Sequence, residues 1–236
     1  RSDIKREAAK IINEELTVDD SLFLYHDVCT NGIGYVDLMF KTDSIAPEQI
    51  PYLGLLKSVL GYVDTENYTY GQLFNEINAN TGGINCGVEV FDRADSTEEF
   101  QAMFSVRGKA LYTKMDFLFK MIGEILNSSK LEDTKRLYEI VASAKSRAQV
   151  NLTGAGHSTA VLRAAAYSSP MAAFQDEMAG IGYYQFIEKL EKDFEQRKEE
   201  TVEELCKLMK KILRPENFMI SYTGERESLE IVQKLA

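Results

Sequence analysis

The order of hydrophobic patterns along this chain predicts an α+β fold, an antiparallel sheet with helices packed on one face. Three observations carry it. Phe100, Ala102, Phe104 and Val106 alternate with Glu99, Gln101, Met103, Ser105 and Arg107, the period-two signature of a strand with one wet or partner-facing side. Met115, Leu118, Met121, Ile122 and Ile125 recur at i, i+3, i+4 spacing, which places them on one face of a helix. The patterns run strands, helices, strands, helices, final strand, an order that suits stacked layers better than a doubly wound parallel sheet.

The elements follow in chain order. Residues 11–28 predict two strands joined at Asp19-Asp20-Ser21, with Leu22, Leu24, His26 and Val28 opposite Phe23, Tyr25 and Asp27. Thr30-Asn31-Gly32 has turn chemistry, and Val36, Leu38 and Phe40 line one face of the next strand, so residues 21–41 read as a hairpin. Pro47 and Pro51 suit the first turn of a helix, where a missing N–H costs nothing, and a helix is expected over 51–63. Thr69-x-x-Gln72 is a capping box opening a second helix to Asn80, ended by Gly82-Gly83. Ile84, Cys86, Val88 and Val90 then alternate as a strand ahead of the 99–107 strand.

The second half is mostly helical. After the Met115–Ile125 stripe, residues 131–152 predict a long helix, interrupted at Gly154-Ala155-Gly156. A helix over 157–169 follows, Pro170 starts another, and Gly180 and Gly182 mark a break before a helix carrying Phe186, Ile187, Leu190 and Phe194. The charged run 195–200 reads as a solvated junction, and Thr201-x-x-Glu204 as a capping box opening a helix with Leu205, Leu208, Met209 and Ile212. Residues 217–223 return as the last strand, closed by Gly224.

Composition narrows the function classes. The chain has 236 residues, 44% hydrophobic and 27% charged, enough for a sizeable core. Its net charge of -10 argues against nucleic acid and anionic membrane surfaces, which need clustered Lys and Arg. No apolar run approaches the ~20 residues of a membrane span. Three cysteines without close spacing, Cys29, Cys86 and Cys206, form neither a disulfide framework nor a zinc ribbon, so a reducing, cytoplasmic compartment is expected. Cys86 reads as a small buried hydrophobe. The chain starts at Arg1 rather than Met, which fits an excised piece of a longer polypeptide. It is read as one α+β domain over 1–236: an entry segment (1–20), a strand-helix-helix-strand half (21–110) and a mostly helical half with a final strand (111–236).

Several segments, taken in order, carry a resemblance. They are the strand-helix-helix-strand stretch 31–93, Thr81-Gly82-Gly83-Ile84, Phe104-Ser105-Val106-Arg107-Gly108-Lys109-Ala110, Gly156-His157-Ser158 before Leu162-Arg163-Ala164-Ala165, then Ser169-Pro170 and Gly180-Ile181-Gly182-Tyr183-Tyr184. In this order they resemble the third of four homologous domains in the pitrilysin/insulinase-type zinc metallopeptidases, presequence-protease (falcilysin-like) branch. In the catalytic domain of that family the first helix carries H-x-x-E-H. Here the matching stretch is Leu53-Gly54-Leu55-Leu56-Lys57, which offers no metal ligand. The resemblance therefore implies a non-catalytic, chamber-forming domain of a zinc metalloendopeptidase that degrades unstructured peptides. The zinc would sit in the catalytic half of the parent. The partners would be that half, a fourth domain and the peptide. Relatives of this fold also serve as structural core subunits, and a stand-alone peptide-binding module is a third reading.

Other chemistry is weak. His26 and His157 are far apart in sequence, and Glu132 and Glu139 lie where a third zinc ligand would fall but have no histidine partners. His157-Ser158 lacks the strand–G-x-S-x-G–helix context of a hydrolase and suits a helix cap instead. His26 and Cys29 would point to opposite faces of a strand. Gly82-Gly83 follows a helix, whereas a phosphate loop precedes one. By analogy with the catalytic domain, where the corresponding edge strand pairs with extended substrate, the candidate site is the strand Gly83, Ile84, Asn85, Cys86, Gly87, Val88 and Glu89. One measurement tests the metal reading. The purified chain, stripped and re-equilibrated with a small excess of zinc, is expected to retain less than about a tenth of an equivalent. Retention near one equivalent after dilution would overturn it.

Overall fold

The computed structural model describes residues 12–93 and 96–235. Strands β1 (Ile12–Val18), β2 (Ser21–Asp27), β3 (Ile33–Lys41), β4 (Ile84–Arg93), β5 (Ser96–Leu111) and β6 (Phe218–Gly224) form one six-stranded sheet in the order β1-β2-β6-β3-β5-β4. Helices α1 (Ile50–Val59) and α2 (Tyr70–Asn80) connect β3 to β4. Helices α3 (Met115–Ser128), α4 (Thr134–Gly154), α5 (Gly156–Ala165), α6 (Pro170–Ala179), α7 (Ile181–Lys192) and α8 (Phe194–Ile212) connect β5 to β6, and α9 (Arg226–Leu235) follows. Phe23, Tyr25, Val36, Leu38, Phe104, Val106, Ile220 and Tyr222 from the sheet share one core with Met115, Leu118, Met121, Ile122 and Ile125 of α3. The expected entry segment lies in part, and the Ile11 end of the first strand wholly, outside the described residues.

The α+β class holds, with two corrections to the sheet. Residues 21–41 are not a hairpin: β2 and β3 each pair with β6, which lies between them. Alternation reports that a strand has a buried face but not which strand it pairs with. β6 buries Ile220 and Tyr222 on one face, carries Met219, Ser221 and Thr223 on the other, and pairs along both edges. The sheet is also mixed rather than antiparallel, because β2 and β6 run parallel. The β1–β2 join is as expected, a two-residue turn with Asp19 and Asp20 both at positive φ (45° and 65°).

β5 is longer than expected, and its second face is not simply wet. Met103 and Ser105 are buried, flanked across the ladder by Lys41 and Glu89, and by Met39 and Gly87. A central strand is shielded by the side chains of both neighbours. The capping box at Thr69 forms as read: Gln72 N–H donates to Thr69 Oγ1 (3.3 Å) and Thr69 N–H donates to Gln72 Oε1 (3.1 Å). α1 stops at Val59, before the expected end, because Leu60 is extended and Gly61 has φ +83°.

The second capping box does not exist. Thr201 is buried inside α8 and its hydroxyl donates to the Arg197 carbonyl (2.8 Å), the back-bond that lets a threonine sit inside a helix. The run 195–200 belongs to the same helix, where Lys198 pairs with Glu195 (3.0 Å) and Arg197 with Glu200 (3.1 Å). Phe194 begins α8 rather than ending α7. α9 lies beyond the elements that the sequence pattern predicts; it buries Ser228, Leu229 and Val232.

Two carboxylates fix the junctions. Asp176, 1% exposed, accepts the Ile181 and Gly182 N–H groups (3.0 and 3.1 Å) at the start of α7, and Arg163 Nη1 (2.6 Å). This explains the Gly180-Ile181-Gly182 motif: a Cβ on Gly180 would lie 2.5 Å from Asp176 Oδ1, and one on Gly182 2.6 Å from Glu177 Oε1. Glu225, between β6 and α9, accepts the N–H groups of Thr30 (3.0 Å), Asn31 (2.9 Å) and Gly32 (3.3 Å) from the β2–β3 connection. The Tyr112 hydroxyl donates to the same carboxylate and accepts the Glu225 N–H (2.8 Å). The Tyr112 hydroxyl, then the Gly32 and Thr30 amides, hold the Glu225 carboxyl down at about 2.

Both clasps are testable. Asp176→Ala leaves two helix-start N–H groups unpaired and is expected to cost about 2–4 kcal/mol, read as a lower urea midpoint. A loss below about 0.5 kcal/mol would reject the capping role. Glu225 has a folded pKa below its ordinary carboxylate value. Its contribution to stability is therefore complete above pH ~4.5 and is lost as pH falls toward 2. Glu225→Gln should remove that part of the acid dependence; equal losses between about pH 6 and about pH 3 in both proteins would sink the assignment.

Candidate substrate-facing edge and cleft

β4 is an edge of the sheet. It pairs with β5 on one side and, among the described residues, with no strand on the other. Successive residues of an extended chain point their N–H and C=O groups to opposite edges, so every second residue of β4 offers its main chain outward. The even positions Ile84, Cys86, Val88 and Val90 pack against the core, as the alternation predicts. Burial pushes the Cys86 thiol up to about 12, so this cysteine behaves as an inert small hydrophobe. Gly83 has φ +104°, which a side chain resists, and it turns the chain from α2 into the strand.

The candidate residues Gly83, Ile84, Asn85, Cys86, Gly87, Val88 and Glu89 all line one cleft of about 610 Å³. Its other walls come from the end of α1 and the turn after it (Lys57, Leu60, Tyr62), from α2 (Phe74, Asn78) and from Arg147 of α4. Tyr62 and Phe74 are half exposed. Lys57 is half-buried, and burial alone lowers its pKa. Sequence reasoning misses Lys57, Tyr62, Phe74 and Arg147 as wall residues, because no local pattern marks a side chain that meets a strand from another layer.

The opposite face of the sheet carries an ion cluster. Arg107 Nε pairs with Asp37 Oδ2 (2.8 Å) and its Nη1 with Glu89 Oε1 (3.1 Å). Asp37 Oδ1 is buried without a hydrogen-bond partner, and desolvation raises the Asp37 pKa against the pull of Arg107. A second cleft of about 440 Å³, lined by Asn85, Arg107, Lys109, Ser221 and Thr223 among others, lies on this face.

The stretch Leu53-Gly54-Leu55-Leu56-Lys57 is packing. Leu53, Leu55 and Leu56 are at most 1% exposed. A Cβ on Gly54 would lie 2.5 Å from the Met178 carbonyl oxygen, and the Tyr183 hydroxyl donates to Gly54 O (3.5 Å). α6 and α7 thus fill the space around these positions, and they do not fit a metal. Glu139 is exposed on α4 and pairs with Arg136 (2.8 Å); Glu132 is exposed in the turn before that helix rather than on it. Among the described residues no group of three or more His, Cys, Asp and Glu is placed to hold a metal ion.

His26 contacts Asn13 (2.7 Å) and Ser221 (3.2 Å) through its two ring nitrogens, and neither meets Cys29, whose thiol instead faces Asn31. The expected cap at His157-Ser158 is absent: α5 starts at Gly156 behind Ala155 with no side-chain bond to its first turn. No described helix is long and apolar enough to cross a membrane. The geometry at β4 can pair with an extended chain; it holds no nucleophile–base pair.

Comparison with known proteins places these features. A family model described as peptidase-associated, for subfamily C of metallopeptidase family 16, matches residues 1–190. The chain is 36% identical over 228 residues to "Protein HypA" of Clostridium perfringens, covering 97% of this chain and 23% of that protein. It is 26% identical over 232 residues to "Presequence protease 1, chloroplastic/mitochondrial" of Arabidopsis thaliana, covering 98% of this chain and 21% of that protein. The chain thus spans between a fifth and a quarter of these relatives. A solved structure, a conserved protein from Enterococcus faecalis V583, shares the fold with a TM-score of 0.64 at 14% identity, over 94% of this chain and 52% of that one. The chain belongs to this peptidase-associated family, as a non-catalytic domain of the presequence-protease branch of the pitrilysin/insulinase-type peptidases.

Proposed function

We propose that this chain is a chamber-forming domain, third of four, in a zinc-dependent metalloendopeptidase that degrades unstructured peptides, and that β4 lines the chamber wall and pairs with extended substrate. The observation that carries the reading is the free edge of β4, with Gly83–Glu89 along one cleft. Adding a strand to such an edge uses backbone bonds and accepts many sequences, which suits substrates defined by being unfolded. The zinc and the cutting chemistry belong to the catalytic half of the parent, since α1 here has Leu53 and Lys57 where the histidine ligands would stand and Leu56 where the glutamate would. Residues 1–236 act as one unit whose partners are that half, a fourth domain and the peptide. Three free cysteines fit a reducing, cytosol-like compartment.

The test is proline substitution in the full-length protein. Adjacent N–H groups on β4 face opposite edges, so one of Gly87→Pro and Val88→Pro leaves the β5 ladder intact. The variant that keeps its melting temperature is expected to lose about tenfold in peptide affinity, measured by fluorescence anisotropy. Unchanged affinity in that variant would sink the edge-pairing role.

A further inference from the structure

We propose that the cleft beside β4 receives the C-terminal end of an extended peptide, with Lys57 and Arg147 taking its α-carboxylate while its main chain pairs with β4. The inference deepens, and rests on, the edge-pairing reading above. It starts from the charge inventory. The chain holds 37 acidic residues against 27 Lys and Arg, and most described cations without a carboxylate partner are exposed, whereas Lys57 is half-buried. Many other basic side chains are occupied: Lys145 pairs with Glu191 (3.0 Å), Lys198 with Glu195 (3.0 Å) and Lys207 with Glu203 (2.9 Å). Lys57 and Arg147 line the same cleft, and neither forms an ion pair with a carboxylate among the described residues.

Lys57 lies in the last turn of the buried helix α1 and Arg147 stands exposed on α4, so two cations from different helices line the one cleft. The carboxylate that also lines it, Glu89, is engaged by Arg107 on the other face of the sheet (3.1 Å). A half-buried ammonium without a counter-ion is costly, and a ligand carboxylate would relieve that cost through charge-assisted hydrogen bonds.

The chemistry selects a chain terminus over an acidic segment. A molecule of net charge -10 repels a polyacidic peptide, whereas a terminal carboxylate brings one charge and a main chain free to pair with the strand. Tyr62 and Phe74 supply apolar surface for the last side chains.

The experiment uses the 236-residue chain and an N-terminally labelled, unstructured, uncharged peptide of about ten residues in three forms. These are the free acid, the C-terminal amide, and the amide with one internal Asp. The free acid is expected to bind about tenfold more tightly than the amide. Lys57→Gln with Arg147→Gln should abolish that difference. Equal binding of acid and amide by the unmodified chain would overturn the carboxylate site while sparing edge pairing. Tight binding of the Asp amide would move the site to acidic side chains and overturn the C-terminal assignment. Failure of all three peptides to bind would overturn both.

Discussion

The architecture depends on one insertion: a strand from the far end of the chain lies between β2 and β3. β6 runs parallel to β2 and antiparallel to β3, so it alone joins the β1–β2 hairpin to the β3–β5–β4 ladder. Tyr222 is its anchor. Its ring is fully buried, stacks on Tyr25 at 6.1 Å and 19°, and lies 6.5 Å from Phe23. Its hydroxyl bonds the Ser228 hydroxyl (2.5 Å) at the start of α9, satisfying a polar atom that burial would otherwise penalise. Two glycines make room for it. A Cβ at Gly34 would lie 3.1 Å from the Tyr222 hydroxyl oxygen, and one at Gly224 2.5 Å. The Glu225 clasp then locks the end of β6 onto the β2–β3 connection, across almost two hundred residues of sequence. Closing so long a loop costs entropy, though the cost rises only slowly with length.

This arrangement determines what is left open. With β6 in the middle, β1 and β4 become the edges, and β4 is the one backed by helices α1, α2 and α4 across a cleft. Exposed edges invite unwanted pairing, and proteins blunt them with charge or irregularity. β4 carries an exposed Asn85, a glycine and an Arg107-paired Glu89, but its even positions are apolar and half-buried. An edge of that kind invites pairing with an extended chain, and the proposed function rests on it. α1 makes the complementary point. Leu53 and Leu56 contribute burial worth about 1.5–3 kcal/mol each at positions where a metal site would need polar ligands in the core.

What is legible in the sequence is local. Alternation locates β2, β3, β4 and β5, the i, i+3, i+4 stripe locates α3, and Thr69-x-x-Gln72 locates the start of α2, because each pattern is set within a few residues. Pairing is not legible: nothing within residues 21–41 reveals that a strand from 218–224 separates its two halves. Thr201-x-x-Glu204 misleads for a related reason, since the same residues serve a helix start or, through the back-bond to Arg197, a helix interior. α9 is not among the predicted elements although its pattern is readable, with Leu229 and Val232 buried at i, i+3 spacing. The strand of the candidate site is readable residue by residue, yet Lys57 and Arg147 are not. They are ninety residues apart in sequence, and only the packing of α1 and α4 across from β4 puts them on one wall.

The proposed occupant of that cleft meets two fields of opposite sign, acting at different ranges. At a distance, the net charge of -10 attracts a cationic chain and is screened within about 10 Å in ordinary salt. At contact, half-buried Lys57 presents positive charge where a carboxylate is held more strongly than in water, with exposed Arg147 on the same cleft. A folded protein seldom satisfies both, because its termini and sheet edges are engaged at once. An unfolded peptide with a basic body and a free C-terminus satisfies the outer field with its side chains, the edge with its main chain and the cations with its end. Under the proposed function, recognition then follows from being extended and terminated rather than from sequence.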